Sequence, residues 1–118
     1  MIPLSIITIN RNDAEGLRRT IKSVAEQVPG DTLVGASAGT LWEHIIIDGA
    51  STDASVGVIE QYASEAKIRG RVVRWISEPD KGIYHAMNKG IRMAQGEYIQ
   101  ILNAGDCLAA TDVTKRML

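Results

Sequence analysis

One cysteine, Cys107, stands in a chain of 118 residues. No internal disulfide can form, which excludes a disulfide-stapled secreted scaffold and makes a reducing compartment the simpler expectation. Charge of one sign is not in excess either, with Lys and Arg totalling 13 against 14 for Asp and Glu. A nucleic-acid partner held through a basic face is therefore not expected, nor is a polybasic membrane anchor. No apolar run reaches the roughly 18 residues that span a bilayer. The opening Met1-Ile-Pro-Leu4 lacks the positive flank and the cleavage site of a signal peptide. The reading is a cytoplasmic chain, with peripheral contact at the inner face of the plasma membrane left open for a longer parent.

Two ligand signatures are absent as well. Gly16 is the only glycine between the first apolar run and the body of the segment after it, so the dinucleotide fingerprint is missing, and so is the Walker A pattern. Residues 35–40 match a phosphate-cradling loop in composition alone.

What is present is 45% hydrophobic and 23% charged, the composition of one soluble domain or part of one. Apolar runs at residues 4–9, 44–47, 72–76 and 98–102 read as strands, the first two β-branched enough for parallel strands covered on both faces. Between them lie helical periods. Asn12 with Glu15 reads as a capping box before a stripe of Leu17, Ile21, Val24 and Val28 that Pro29-Gly30 ends. A second helix is expected at about residues 53–67, burying Val56, Ile59, Ala63 and Ala66. A third is expected at about 82–95, burying Ile83, Met87, Ile91 and Ala94, with Gly96 as its left-handed C-terminal residue. Residues 31–40 read as a loop, and the last eight as the opening of a further helix in a domain cut short.

The order β-α-β-α-β-α-β predicts an α/β, Rossmann-like parallel sheet with flanking helices. Ligands of such sheets bind outside the carboxyl ends of the strands. Here those ends read Thr8-Ile-Asn-Arg11, Asp48-Gly-Ala-Ser-Thr-Asp53, Ser77-Glu-Pro-Asp-Lys81 and Asn103-Ala-Gly-Asp106. An acidic edge without a phosphate loop suits phosphates that arrive with a divalent cation, because bare carboxylates would repel them. Asp106 is the natural metal ligand. Asp48 and Asp53 fit equally a ligand role and a turn or helix cap, with Asp53 favoured as a cap. His44 and His85 have no partner at ligand spacing, which argues against zinc. Asn88 reads as polar-face packing, Cys107 as a packed small residue, and Trp42 and Trp75 as packing residues.

Four blocks carry a resemblance: Leu4-Ser-Ile-Ile-Thr-Ile-Asn10; Glu43-His-Ile-Ile-Ile-Asp-Gly-Ala-Ser-Thr-Asp53; Ser77-Glu-Pro-Asp-Lys-Gly-Ile-Tyr84 with Ala86-Met-Asn-Lys-Gly-Ile91; and Gly96-Glu-Tyr-Ile99 leading to Leu102-Asn-Ala-Gly-Asp106. In this order they resemble the N-terminal, donor-binding half of family 2 glycosyltransferases, inverting enzymes of the GT-A fold that build cell-surface glycans. The resemblance implies that residues 1–118 hold a nucleotide-sugar, with a UDP-sugar the first choice and the base left open. Thr8, Asn10 and Arg11 would wall the base, Asp48 would pair with uracil N3–H, and Asp80 and Lys81 would flank the nucleotide. Asn103 lies in the Asp-x-Asp region, where Asp106 would bind Mg²⁺ or Mn²⁺. The acceptor would be a glycan or lipid-linked glycan. Asn103 stands where many members have a carboxylate, so weak metal binding is expected. His85 stands where relatives often have Asp.

Twelve residues follow Asp106, too few for the general base and the acceptor-binding half. The base is expected beyond Leu118, the fragment alone is expected to be inactive, and its uncovered faces are expected to self-associate. The rival reading is a non-catalytic Rossmann-like nucleotide-binding or interaction module.

Overall fold

The computed structural model describes residues 4–27 and 42–108. Seven elements alternate: β1 Leu4–Asn10, α1 Ala14–Ala25, β2 Trp42–Asp48, α2 Ser55–Ile68, β3 Val72–Ser77, α3 Ile83–Met93 and β4 Tyr98–Asn103. The strands form one parallel sheet in the order β3-β2-β1-β4. The chain steps from β1 outward to β3 and then crosses back to place β4 on the other side of β1. That reversal is the switch point at which such sheets leave room for ligands.

Apolar residues on both faces of the central strands explain the layers. Ile7, Ile45 and Ile47 form one core cluster with Ala86 of α3. On the opposite face, Ile46 packs with Leu17 of α1 and Ile59 of α2, while Leu4 and Ile6 pack with Val24 and Trp42. All seven residues of β2 are buried. Each fully buried Ile contributes about 2 kcal/mol of apolar transfer, so the two central strands anchor the domain.

The strands match their predicted positions and each extends to a polar residue at its carboxyl end. The helices depart in instructive ways. The cap of α1 is Asp13, which accepts the Gly16 N–H at 2.9 Å, and not Asn12. Asn12 sits at a φ of 51°, a left-handed conformation that Asn tolerates, and its side chain is used elsewhere. Helix α1 ends at Ala25, so its buried stripe is Leu17, Thr20 and Val24, with Ile21 partly covered. Val28, Pro29-Gly30, the 31–40 loop with its phosphate-loop resemblance and the final helix lie outside the described residues.

Helix α2 buries Ile59 and Ala66 as predicted, while Val56 and Ala63 are half-buried. Helix α3 turns a different face inward. It buries Ala86 and Gly90, leaving Ile83 and Ile91 exposed. The reason is close approach: a Cβ on Gly90 would lie 2.5 Å from Ile7 Cγ2, so the helix seats its smallest residues on β1. Gly96 is required for contact and not for a left-handed turn, since a Cβ there would meet the Ser5 backbone N at 2.6 Å. Cys107 is exposed and free, not packed.

Candidate functional site

The strand register brings four carboxyl ends level. Asn10 lies opposite Asp48, Asp48 opposite Ser77, and Ile9 opposite Asn103. The ladder continues one residue into each turn, through Gly49 N–H to Asn10 O, Glu78 N–H to Asp48 O and Ala104 N–H to Ile9 O. The turns therefore start from a common, rigid edge.

Asp48 is the hub of this edge and is fully buried. One carboxylate oxygen accepts from Asn10 Nδ2 at 2.9 Å and Ser51 Oγ at 2.6 Å, the other from the Ser51 N–H at 2.9 Å and Ser77 Oγ at 2.7 Å. A carboxylate offers about four acceptor positions, so this one is saturated by the protein. Burial alone would raise its pKa, but donation by Ser51, Asn10 and Ser77 together outweighs burial and holds the group below the ordinary Asp range. Asn10, buried beside it, has no partner for its Oδ1 among the described residues.

A second set of bonds clasps the β1–α1 loop to the β2–α2 loop. Asn12 Oδ1 accepts the Thr52 N–H at 2.7 Å and Ser51 Oγ accepts the Asn12 N–H at 2.8 Å. Asp53 accepts the N–H groups of Ala14 at 3.0 Å and Ser55 at 2.9 Å, so it satisfies donors at the starts of two helices, although the cap residue of α2 is Ala54 and not Asp53.

Arg11 and Asp80 both lie close to Gly49. A methyl group on Gly49 would lie 3.0 Å from Asp80 Oδ2 and 3.5 Å from Arg11 Cδ. Asp80 also accepts the Gly82 N–H at 3.2 Å, and the Lys81 N–H donates to His85 Nδ1 at 2.8 Å. Lys81 itself is exposed, as is Asn88 on α3.

The sequence Asn103-Ala-Gly-Asp106 folds as a tight turn. The Asp106 N–H closes it on Asn103 O at 2.8 Å, and Gly105 takes a φ of 99°, the third-position glycine that a type II turn demands. One oxygen of the exposed Asp106 carboxylate accepts the Asn103 N–H at 3.1 Å. The other meets no donor among the described residues. Those residues hold no group of three His, Cys, Asp or Glu able to cage a metal. One free carboxylate oxygen fits a cation whose remaining ligands are substrate phosphates and water, the usual arrangement for Mg²⁺ with nucleotides.

Thr8 takes a different place from the other site candidates. Its side chain is fully buried, 2.7 Å from His44 Nε2, and His44 Nδ1 lies 2.8 Å from the Tyr62 hydroxyl. Four supporting residues escaped the sequence reading: Asn12 as a clasp, Ser51, Ser77 and Thr20. Thr20 had a signal, being polar on the apolar stripe between Leu17 and Val24. A cavity of about 480 Å³ between α1 and α2 is lined by none of Arg11, Asp80, Asn103 or Asp106.

A parallel sheet of order β3-β2-β1-β4 with flanking helices is the α/β, Rossmann-like arrangement of the GT-A fold. The chain belongs to glycosyl transferase family 2, whose profile matches residues 5–118. It is 38% identical over 110 residues to an uncharacterized glycosyltransferase of Mycobacterium tuberculosis, covering 93% of this chain and 36% of that protein. It is 31% identical over 113 residues to a PGL/p-HBAD biosynthesis glycosyltransferase of Mycobacterium bovis, covering 96% of this chain and 39% of the relative. A mannosyltransferase from Pyrobaculum calidifontis, solved with GDP-Man and Mn²⁺, shares the fold at a TM-score of 0.76 and 24% identity, covering 94% of this chain and 30% of that one. The chain thus spans well under half the length of these proteins. Among the described residues no helix is long and apolar enough to cross a membrane.

Proposed function

We propose that this chain is the donor-binding part of an inverting glycosyltransferase that moves a sugar from a nucleotide-diphospho-sugar to a glycan or lipid-linked acceptor. The observation that carries the reading is that Arg11, Asp80 and the 103–106 turn all follow strands that end level, with one Asp106 oxygen meeting no donor among the described residues. In this reading the base lies against Arg11 and the Asp48-braced end of β1. Asp80 and Lys81 flank the nucleotide, and Asp106 holds Mg²⁺ or Mn²⁺ on the diphosphate. The cation, when bound, offsets the charge that develops on the departing nucleotide. Asp48 acts by fixing Asn10 and Ser51, since its own acceptor positions are filled. The general base and the acceptor site are assigned outside this chain, which is expected to bind donor without turning it over.

Calorimetric titration with UDP and with GDP, with and without Mn²⁺, tests the proposal. Metal-dependent binding of one of them that Asp106→Ala abolishes is the expected result. Metal-independent binding, or none to a chain with a folded far-UV spectrum, would return the chain to the rival reading of a non-catalytic module, which its single metal carboxylate favours.

A further inference from the structure

Thr20 lies in the middle of α1 and is fully buried, yet its hydroxyl does not serve its own helix. It donates to Asp106 O at 2.6 Å and accepts the Gly105 N–H at 2.9 Å. The same Gly105 N–H reaches Gly16 O at 3.0 Å. Three residues along the helix, Ser23 Oγ accepts the Leu108 N–H at 3.2 Å. Helix α1 is therefore a rail to which the segment after β4 is fastened at successive turns.

We infer that Thr20 is a positioning residue for the metal carboxylate: its hydroxyl clamps the 103–106 turn from the helix side and sets where the Asp106 side chain stands. The inference rests on the reading of Asp106 proposed above. A site with one protein carboxylate has no second ligand to correct a misplaced first one, so its affinity depends on how firmly that carboxylate is held. The turn's own bonds do not suffice for this. They close the loop on itself, and Gly105, at a φ of 99°, is the residue type with the most backbone freedom to lose. The Ala104 N–H bond to Ile9 O ties the start of the turn to β1, while its last two residues are held from α1, where Thr20 bridges both of them.

The test is Thr20→Val, which keeps the volume and removes the hydroxyl with its bonds to Asp106 O, the Gly105 N–H and, at 3.4 Å, Asn103 O, beside Thr20→Ser, which keeps the hydroxyl. Each variant is titrated with the nucleotide diphosphate that the wild type binds, UDP or GDP, with and without Mn²⁺. Thr20→Val is expected to weaken the metal-dependent binding about tenfold, to leave the metal-free affinity unchanged, and to be rescued by Thr20→Ser. Equal losses with and without Mn²⁺, or no loss, would overturn the positioning role while leaving the donor-binding reading intact. A wild type without Mn²⁺-dependent binding would remove that reading and this role together. Should Thr20→Val not fold, amide exchange in the wild type decides. The Gly105 N–H is expected to be protected like a strand amide, and exchange at the rate of an open loop would refute the clamp.

Discussion

His44 brings a titratable ring into the middle of the sheet, and its place fixes its charge. Burial lowers its pKa from 6.5 to about 3, so the folded protein holds it neutral between the Thr8 and Tyr62 hydroxyls. The unfolded chain binds a proton that the folded one refuses, so stability is complete above about pH 6.5 and falls as pH drops toward 3. About 2 kcal/mol should be lost by pH 5 at ~1.4 kcal/mol per pK unit. Glu43 and Asp48, whose pKa values are depressed, lose their stabilisation only at lower pH, as the solution approaches their folded values. Urea denaturation at pH 7, 6 and 5 should show the slope, and His44→Gln should flatten it. An unchanged midpoint in the wild type across that range would show that the ring ionises in place. None of this was legible in the sequence, where His44 is one polar letter before an Ile run and its partners lie 36 and 18 residues away in the chain.

At the scale of elements, periodicity identified the strands and helices because apolar spacing reports burial directly. It misplaced the inward face of α3, where the contact is made by the absence of side chains. Ala86 and Gly90 carry little hydrophobic signal, yet they let the helix approach β1 more closely than Ile83 or Ile91 would. The α3–β4 connection is fixed in the same way. Glu43, buried, accepts from Ser5 Oγ and the Gln95 N–H at 2.6 Å each and from Arg74, while the Gly96 N–H donates to Ser5 Oγ at 2.8 Å and Arg74 also reaches Met93 O. Gly96→Ala drives a methyl into the Ser5 backbone and should cost about 3 kcal/mol. Gly57→Ala is the matched control, since a Cβ there meets nothing within 4 Å on α2. It should stabilise by about 0.5–1 kcal/mol through helix propensity. Thermal melts of the two variants check both, and equal shifts would mean that the close approach at Gly96 is not what limits the fold.

Over the whole molecule, the edge proposed as the donor site follows from topology: four strands end level, and the crossover from β3 to β4 opens the sheet beside β1. The sequence placed Arg11, Asp80, Lys81, Asn103 and Asp106 at that edge because strand ends can be counted. It could not show that Asp48 would be filled by four donors from three other residues, nor that α1 would brace the turn carrying Asp106. Ser51 is near Asp48 in the chain, but Asn10, Ser77 and the Thr20–Asp106 bond join residues far apart in it. The most direct test is to add Mn²⁺ with UDP or GDP to the isotopically labelled chain and to map which backbone amides are broadened by the paramagnetic ion. The expected pattern centres on residues 103–106, reaches the turns at Arg11 and Gly49, and spares Gly57 to Glu65 along the α1–α2 groove. Broadening centred on that groove, or spread evenly over the surface, would contradict a metal-nucleotide site at the carboxyl edge of the sheet.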